Sequence, residues 1–412
     1  MSSFFAAHAT HPDAGMALAL VAAQIDAQRS QRAPAFVPTL GLIYLTDHFA
    51  ADAERLLEDA QRRWPGVAWA GAVGIGVIGS GAEYIDAPAL SLMLGDLPET
   101  DFQLFNGRRP LSSSDARTAL VHADPGTPEL AELIAELSER TQSGYLFGGL
   151  ASSRERSLHL ADGVFEGGLS GVAFGPDVAL VSRVTQGCQP VGPVRRITGV
   201  AASSDSPRGR PGTEVSNIVL ELDGQPALPL LLADLGQTLD RPEAAIRALR
   251  ATLVGLADAD AAPLGHGGQF GVETRVRHLI GIDPARDAVA IADLAVAGEQ
   301  LTFCRRDAEA ARRDLVRVCS EIREEVEALA PDRPVPALLG GTGEASAPHI
   351  AGAIYVSCAG RGGPHFGSPS AEALIVQRAL GDVPLVGFFA GGEIGHRHLY
   401  GYTGVLTVFV GR

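Results

Sequence analysis

Gly41-Leu42-Ile43-Tyr44-Leu45 opens the segment that decides the fold. It is a short apolar run of strand length. Ala53, Leu56, Leu57, Ala60 and Trp64 follow at spacings of three and four, the stripe of an amphipathic helix. Val67-Ala68-Trp69-Ala70-Gly71 reads as the next strand, then a Gly-rich turn region, then a further apolar run from Ala89 to Leu94. Strand, helix, strand, turn and returning strand predict a mixed sheet with a helix on its face.

The same order recurs twice. Ala119-Leu120-Val121-His122 is a strand, and Thr127 with Pro128 is expected to cap a helix carrying Leu130, Leu133, Ile134 and Leu137. Tyr145 to Gly149 and Gly168 to Phe174 complete that copy. In the last copy, Ala353-Ile354-Tyr355-Val356 precedes the loop Cys358-Ala359-Gly360-Arg361-Gly362-Gly363. A helix from about Ser370 is expected to bury Leu374, Ile375 and Leu380, before Val386 to Gly392 and Gly404 to Val410. A threefold recurrence points to duplication. The expected fold class is α/β (α+β), duplicated halves of mixed sheets with helices on the outer faces. The halves are expected at 1–212 and 213–412, with the Ser/Pro/Gly-rich stretch Ala201 to Gly212 as a surface loop between them.

The middle is less regular. Val215 to Leu222 and Gln225 to Leu231 flank Asp223-Gly224, a hairpin signal. Asp240 with Pro242 starts a helix. Val276 to Ile282 pairs with Ala288 to Ile291 around Asp283-Pro284. A long helix from about Asp307 to Leu329 carries Leu315, Val318, Cys319, Ile322, Val326 and Leu329 on one face, and ends before Pro331, Pro334 and Pro336.

Composition narrows the chemistry. Of 412 residues 46% are apolar, enough for a large core, and the formal charge of −15 argues against a nucleic-acid surface. All 33 basic residues are Arg. Without Lys there is no Walker-type phosphate lysine, pyridoxal Schiff base or lysine nucleophile. Cys188, Cys304, Cys319 and Cys358 stand far apart with no metal spacing, which suits reduced thiols and a cytoplasmic location. Met16 to Ala23 follows Asp13 and no basic residue, so it reads as a packed helix rather than a leader. The longest uncharged stretch, Gly66 to Ala82, is short and Gly-loaded, and no membrane span is predicted.

Gly74-Ile75-Gly76-Val77-Ile78-Gly79 matches a dinucleotide fingerprint, but no crossover helix fits before Ala89, so a Gly-rich hairpin is expected and no cofactor. The loop from Cys358 to Gly363 ends a strand and precedes a helix. It can present backbone N–H groups, a thiol and a guanidinium together, and Arg361 suits a carboxylate. A turn with a partly buried Cys and a surface Arg is the competing reading. Gly391-Gly392-Glu393-Ile394-Gly395 is the matching loop one strand on. Glu393 could take a ligand amine or pair with Arg361. His365, His396 and His398 share these loops without a usual metal spacing, so no metal is expected. Cys358 with a His base would make a nucleophile, although no oxyanion donor or third triad member is evident. Cys188, Cys304 and Cys319 read as core thiols, and His266 as a loop residue.

Ser357-Cys358-Ala359-Gly360-Arg361-Gly362 and Pro384-Leu385-Val386-Gly387-Phe388-Phe389-Ala390-Gly391-Gly392-Glu393-Ile394-Gly395 resemble the Cys-x-Gly-Arg loop and Gly-Phe…Gly-Glu-Ile-Gly signature of the FIST family. Leu222 to Ala227, Arg277 to Asp283, Arg306-Asp307 and Asp314-Leu315 also fit its C-terminal domain. Residues 36 to 210 are similar to its N-terminal domain. Ala72-Val73-Gly74-Ile75-Gly76 lacks the carboxylate often found there. The resemblance implies a sensory domain in signal transduction that binds a small ligand, an amino acid or small carboxylate, and acts through a separate partner protein. The ligand residues it implies are Cys358, Arg361, Gly362, Gly391, Gly392 and Glu393, in a cleft between the halves. The alternative is a Cys358-dependent hydrolase or transferase.

Overall fold

The computed structural model describes residues 3–31, 36–111, 116–201, 215–259, 274–330, 347–363 and 365–411. Nearly all of the Ala201–Gly212 stretch, His266 and Pro331, Pro334 and Pro336 lie outside the described residues. The chain divides into two compact units, Met1–Thr185 with Arg312–Arg412, and Gln186–Ala311. This division by contacts differs from the sequence halves at 212/213. The third repeat folds with the first two, and the second unit interrupts them.

The first unit begins with β1 (Phe4–Thr10) and α1 (Ala14–Ser30). Asp13 caps α1, its Oδ1 accepting the Met16 N–H at 2.8 Å. Ala17, Leu18, Val21 and Ile25 are buried, so the apolar run is the packed face of this helix. The first repeat is β2 (Leu40–Thr46), α2 (Ala53–Arg63), β3 (Ala68–Gly74), the hairpin β4 (Gly76–Gly79) and β5 (Ala82–Ile85), and β6 (Ala89–Gly95). β7 (Phe102–Phe105) leads to the second: β8 (Thr118–Ala123), α3 (Leu130–Glu139), β9 (Tyr145–Leu150), the hairpin β10 (Leu158–Ala161) and β11 (Val164–Glu166), and β12 (Leu169–Phe174). β13 (Leu180–Gln186) follows.

The second unit holds β14 (Cys188–Pro190), β15 (Arg195–Val200), β16 (Val215–Leu222), β17 (Gln225–Pro226), α4 (Ala227–Leu235), α5 (Pro242–Arg250), β18 (Thr252–Ala257), β19 (Arg275–Asp283), β20 (Ala288–Val296) and β21 (Gln300–Arg306). Its strands run β21-β15-β16-β20-β19-β18, and β18 pairs back onto β21, so the antiparallel path closes on itself. Leu228 and Leu231 of α4 join Val219, Val254, Val289 and Phe303 in its core. The strand expected over Gln225 to Leu231 is therefore two residues long. Asp223-Gly224 turns the chain as expected, but burial of the leucines at helical spacing wins over strand extension.

The chain returns through α6 (Ala308–Ala328), whose Leu315, Val318, Cys319, Ile322 and Val326 are buried, whereas Leu329, expected on the same face, falls past its last turn and is exposed. The third repeat is β22 (His349–Cys358), α7 (Ala371–Leu380), β23 (Leu385–Ala390), the hairpin β24 (Glu393–His396) and β25 (His398–Tyr400), and β26 (Thr403–Gly411).

Three six-stranded sheets share one order: β1-β6-β2-β3-β10-β11, β7-β12-β8-β9-β24-β25, and β13-β26-β22-β23-β4-β5. In each the two strands joined by a helix are parallel, and the hairpin at one edge comes from another repeat. Gly71, Gly148 and Gly387 mark one equivalent position. A Cβ there would lie 1.7, 2.0 and 1.8 Å from the carbonyl oxygens of Ile43, Val121 and Tyr355 on the parallel neighbour. The inner faces meet in a common core that includes Leu42, Tyr44, Leu120, Phe147, Ile354, Val386, Phe388 and Val405. Helices cover the outer faces, α1 and α2 on the first sheet and α3 on the second. The glycines Gly74 to Gly79 form the end of β3 and all of β4, and no helix follows them.

Two local expectations fail. Thr127 does not cap α3: Pro128 and Glu129 make a further turn, with Glu129 at φ 53°, and the Thr127 hydroxyl bonds Gly168 instead. α7 buries Glu372, Ala373 and Val376 rather than Leu374, Ile375 and Leu380. Its orientation is set by the polar partners of Glu372.

Candidate functional site

Cys358, Arg361 and Glu393 converge, as the two loops suggested. β22 alternates its side chains, so Tyr355 and Ser357 share a face. That face receives Glu372 from the first turn of α7. Tyr355 Oη donates to Glu372 Oε1 at 2.5 Å, and Ser357 Oγ lies 3.0 Å from both carboxylate oxygens. Arg361 Nε donates to Oε1 at 3.0 Å. The turn that aims Arg361 is closed by its own N–H on the Cys358 carbonyl at 2.8 Å.

Arg361 is fully buried and its guanidinium stacks 5.3 Å over the Phe366 ring. Nη1 donates to the Thr185 carbonyl at 3.2 Å. Nη2 has no protein partner. Burial works against the guanidinium charge, but Glu372 outweighs it and holds the group firmly charged. The expected free guanidinium on a loop is thus already paired, through a glutamate that the sequence reading left on the solvent side of its helix.

Glu393 is the first residue of β24 and is also fully buried. Its Oε2 accepts the Thr403 N–H at 3.1 Å and the Thr403 hydroxyl at 2.7 Å. Oε1 meets no hydrogen-bond partner, although the Cys358 thiol lies alongside the carboxyl. Burial pushes the Glu393 pKa up to about 8 against the pull of Thr403 and Arg361. Burial and the Glu393 charge push the Cys358 thiol up to about 12. A thiol so held is not a ready nucleophile at neutral pH. The Thr185 hydroxyl is a third buried group here without a partner.

The three glycines expected at the ligand serve the fold. A Cβ on Gly362 would lie 2.6 Å from Ile85 and Phe389 side-chain atoms. The Gly391 N–H bonds the Leu150 carbonyl at 3.1 Å, and the Leu150 N–H bonds the Gly392 carbonyl at 2.8 Å. His365, His396 and His398 meet Phe366, Tyr145 and Tyr400 respectively edge-on. Among the described residues no group of three or more His, Cys, Asp or Glu side chains is placed to hold a metal ion. Among them, too, no helix is long and apolar enough to cross a membrane.

The cluster is therefore enclosed within the first unit and does not line an open cleft. Glu83 of β5 holds it from beside: its carboxylate accepts the N–H groups of Gly363 at 3.0 Å and Ala373 at 2.9 Å. Tyr355, Ser357, Glu372, Thr403 and Glu83 all escaped the sequence reading. Only the i, i+2 spacing of Tyr355 and Ser357 with a polar end on each hinted at a shared face.

The repeats supply an internal comparison. Relative to the marker glycines, Glu393 opposes Gly149, His159 opposes Ala72 and Val77 opposes Phe388, one step past each marker. In the second repeat the equivalent group is satisfied: His159 bonds Ser170 Oγ at 2.6 Å and the Gly167 carbonyl at 3.0 Å. In the first it is the apolar Val77, directly after the stretch Ala72 to Gly76 that lacks a carboxylate. The unsatisfied pair belongs to the third repeat.

Residues 39–225 match the FIST N domain and residues 230–396 the FIST C domain. The chain is also 30% identical over 420 residues to uncharacterized proteins of two Mycobacterium tuberculosis strains, CDC 1551 / Oshkosh and ATCC 25618 / H37Rv, covering 97% of this chain and 98% of theirs. The chain belongs to the FIST family. An uncharacterized protein of Mycobacterium bovis is 28% identical over 431 residues, with 97% of each chain covered. FIST domains are associated with sensory signal transduction, and the FIST C match spans Cys358, Arg361 and Glu393.

Proposed function

We propose that this FIST protein is a cytoplasmic, non-catalytic sensor whose ligand, an amino acid or small carboxylate, is held between Arg361 and Glu393. One observation carries this reading. Arg361 Nη2 and Glu393 Oε1 are buried in one cluster with no protein partner. Leaving such groups bare costs about 1–3 kcal/mol each, more when charged, so a bound polar molecule would be stabilised there. The ligand acceptor meets Nη2, its donor meets Oε1, and Cys358 flanks the site. Because the groups are enclosed, binding requires the covering residues to move. That movement is what a separate signalling partner would read.

Thermal unfolding with a panel of amino acids and small carboxylates tests the reading. A true ligand at about 100 times its dissociation constant adds about 2.7 kcal/mol. No shift across the panel, or equal shifts in Arg361→Met, counts against it. The thiol-enzyme alternative stands second, because a thiol at about 12 supplies little thiolate. Iodoacetamide labelling of Cys358 faster than of the other three cysteines would revive it.

A further inference from the structure

The buried cluster holds two carboxyl groups, Glu372 and Glu393, against one guanidinium. Arg361 spends its Nε on Glu372 and one Nη on Thr185, and forms no ion pair with Glu393. Among the described residues, the elements around Glu393 bring it no further cation, and β25 opposes it with Tyr400. β9 opposes it with Gly149, β26 offers Thr403, and the end of β22 offers the Cys358 thiol. Glu83, the next carboxyl along, adds negative charge beside Glu372. A fully buried carboxylate without a counter-charge is costly, and the cheapest relief is a proton.

We propose that the empty site keeps Glu393 as the neutral acid and exchanges that proton for the positive end of its ligand. This rests on the ligand reading above and narrows it. Glu393–COOH meets R–NH3⁺, the proton leaves to solvent, and a carboxylate–ammonium pair remains. The site then prefers amine cations, which replace the proton and leave its charge balanced; a zwitterion leaves its own carboxylate over, and a simple carboxylate adds a negative group with no cation left to match it. Glu393 is the specificity-determining residue. The burial that raises its pKa to about 8 agrees with this geometry.

Two measurements test it. Carbon NMR of Glu-labelled protein, with Glu393→Gln to assign the signal, follows the empty site directly. The expected result is a carboxyl that titrates near or above neutral pH. A titration in the ordinary carboxylate range overturns the proposal whatever binds. Calorimetry at about pH 7 in phosphate and in HEPES then uses methylammonium, glycine and acetate as probes. Methylammonium is expected to bind with release of about one proton, and glycine more weakly, because its carboxylate leaves one negative charge over. Methylammonium affinity should weaken about tenfold for each pH unit lowered. Glu393→Gln should abolish the release, and acetate should not bind. Methylammonium binding without proton release, or acetate binding as well as methylammonium, overturns the exchange while sparing the ligand site. No binding of any probe to a protein whose Glu393 does titrate high overturns the ligand reading and the exchange with it.

Discussion

Glu372 and Glu393 show how one side-chain type takes opposite roles by its surroundings. Glu372 is met by a guanidinium, a phenol and a serine hydroxyl, so its burial is repaid by bonds to every side of the carboxylate. Glu393 is met on one oxygen only. Removing one member of the satisfied pair strands the other. Arg361→Met is expected to cost about 3–5 kcal/mol in urea unfolding, and Arg361→Met with Glu372→Met markedly less than two such losses. Equal costs for the double variant and the sum would mean that the two groups do not interact. Glu393 behaves differently with pH. Its folded pKa, about 8, lies above the ordinary glutamate value of 4.5, so the folded protein binds more protons than the unfolded chain in that window. Its contribution is complete below the window and is lost as pH rises through it, by no more than about 1.4 kcal/mol per pH unit. Glu393→Gln should flatten that decline between about pH 5 and 8. Parallel pH profiles for the two proteins would place the Glu393 titration elsewhere.

At the scale of elements, legibility followed what each signal measures. Apolar runs announced β2, β8 and β22 to within a few residues, because a strand buried on both faces needs nothing but apolar side chains. The stripe of α2 was plain, since Ala53, Leu56, Leu57 and Ala60 all face the first sheet. α7 was misread because its inward face is chosen by Tyr355, Ser357 and Arg361 from elsewhere in the chain, and no local pattern carries that. The pairing of Arg361 with Glu372 was hidden for the same reason. The hairpin β24–β25 was missed because its residues look like a polar loop and become a strand only by pairing with β9. Gly-rich second strands were visible, but not why they are Gly-rich. The reason is close approach. Gly387→Ala would set a Cβ 1.8 Å from the Tyr355 carbonyl oxygen, which only separation of β22 from β23 can relieve. It is expected to cost several kcal/mol, at or above about 3, the range of severe core overpacking. Gly107→Ala meets nothing within 4 Å at an ordinary φ and should change stability by about 0.5 kcal/mol or less. Similar unfolding midpoints for the two variants would show that β22 and β23 are not held at that distance.

At the scale of the whole first unit, the repeats are interlocked rather than stacked. In a solenoid each repeat touches only its neighbours, so stability is a sum of local terms and ends can fray alone. Here no repeat owns a complete sheet. β4 and β5 finish the sheet of the third repeat, β10 and β11 that of the first, and β24 and β25 that of the second. Tyr44 of the first repeat bonds His122 of the second at 2.9 Å and stacks on Phe388 of the third at 5.0 Å. Opening any one repeat therefore breaks edges in two sheets and exposes a shared core. The site inherits this, because the turn that carries Arg361 leaves β22 while Glu393 opens β24, strands of different sheets, and the two keep their spacing only while the interlock holds. Leu120 of β8 lies at the centre with no exposed surface. Leu120→Ala should cost about 2–5 kcal/mol. Hydrogen exchange then distinguishes the two pictures. An interlocked unit loses the same protection in β2, β8 and β22, because their amides exchange through one shared opening. Loss confined to β8 and β9, with β2 and β22 untouched, would mean that the repeats open independently and that the hairpin exchange does not couple them.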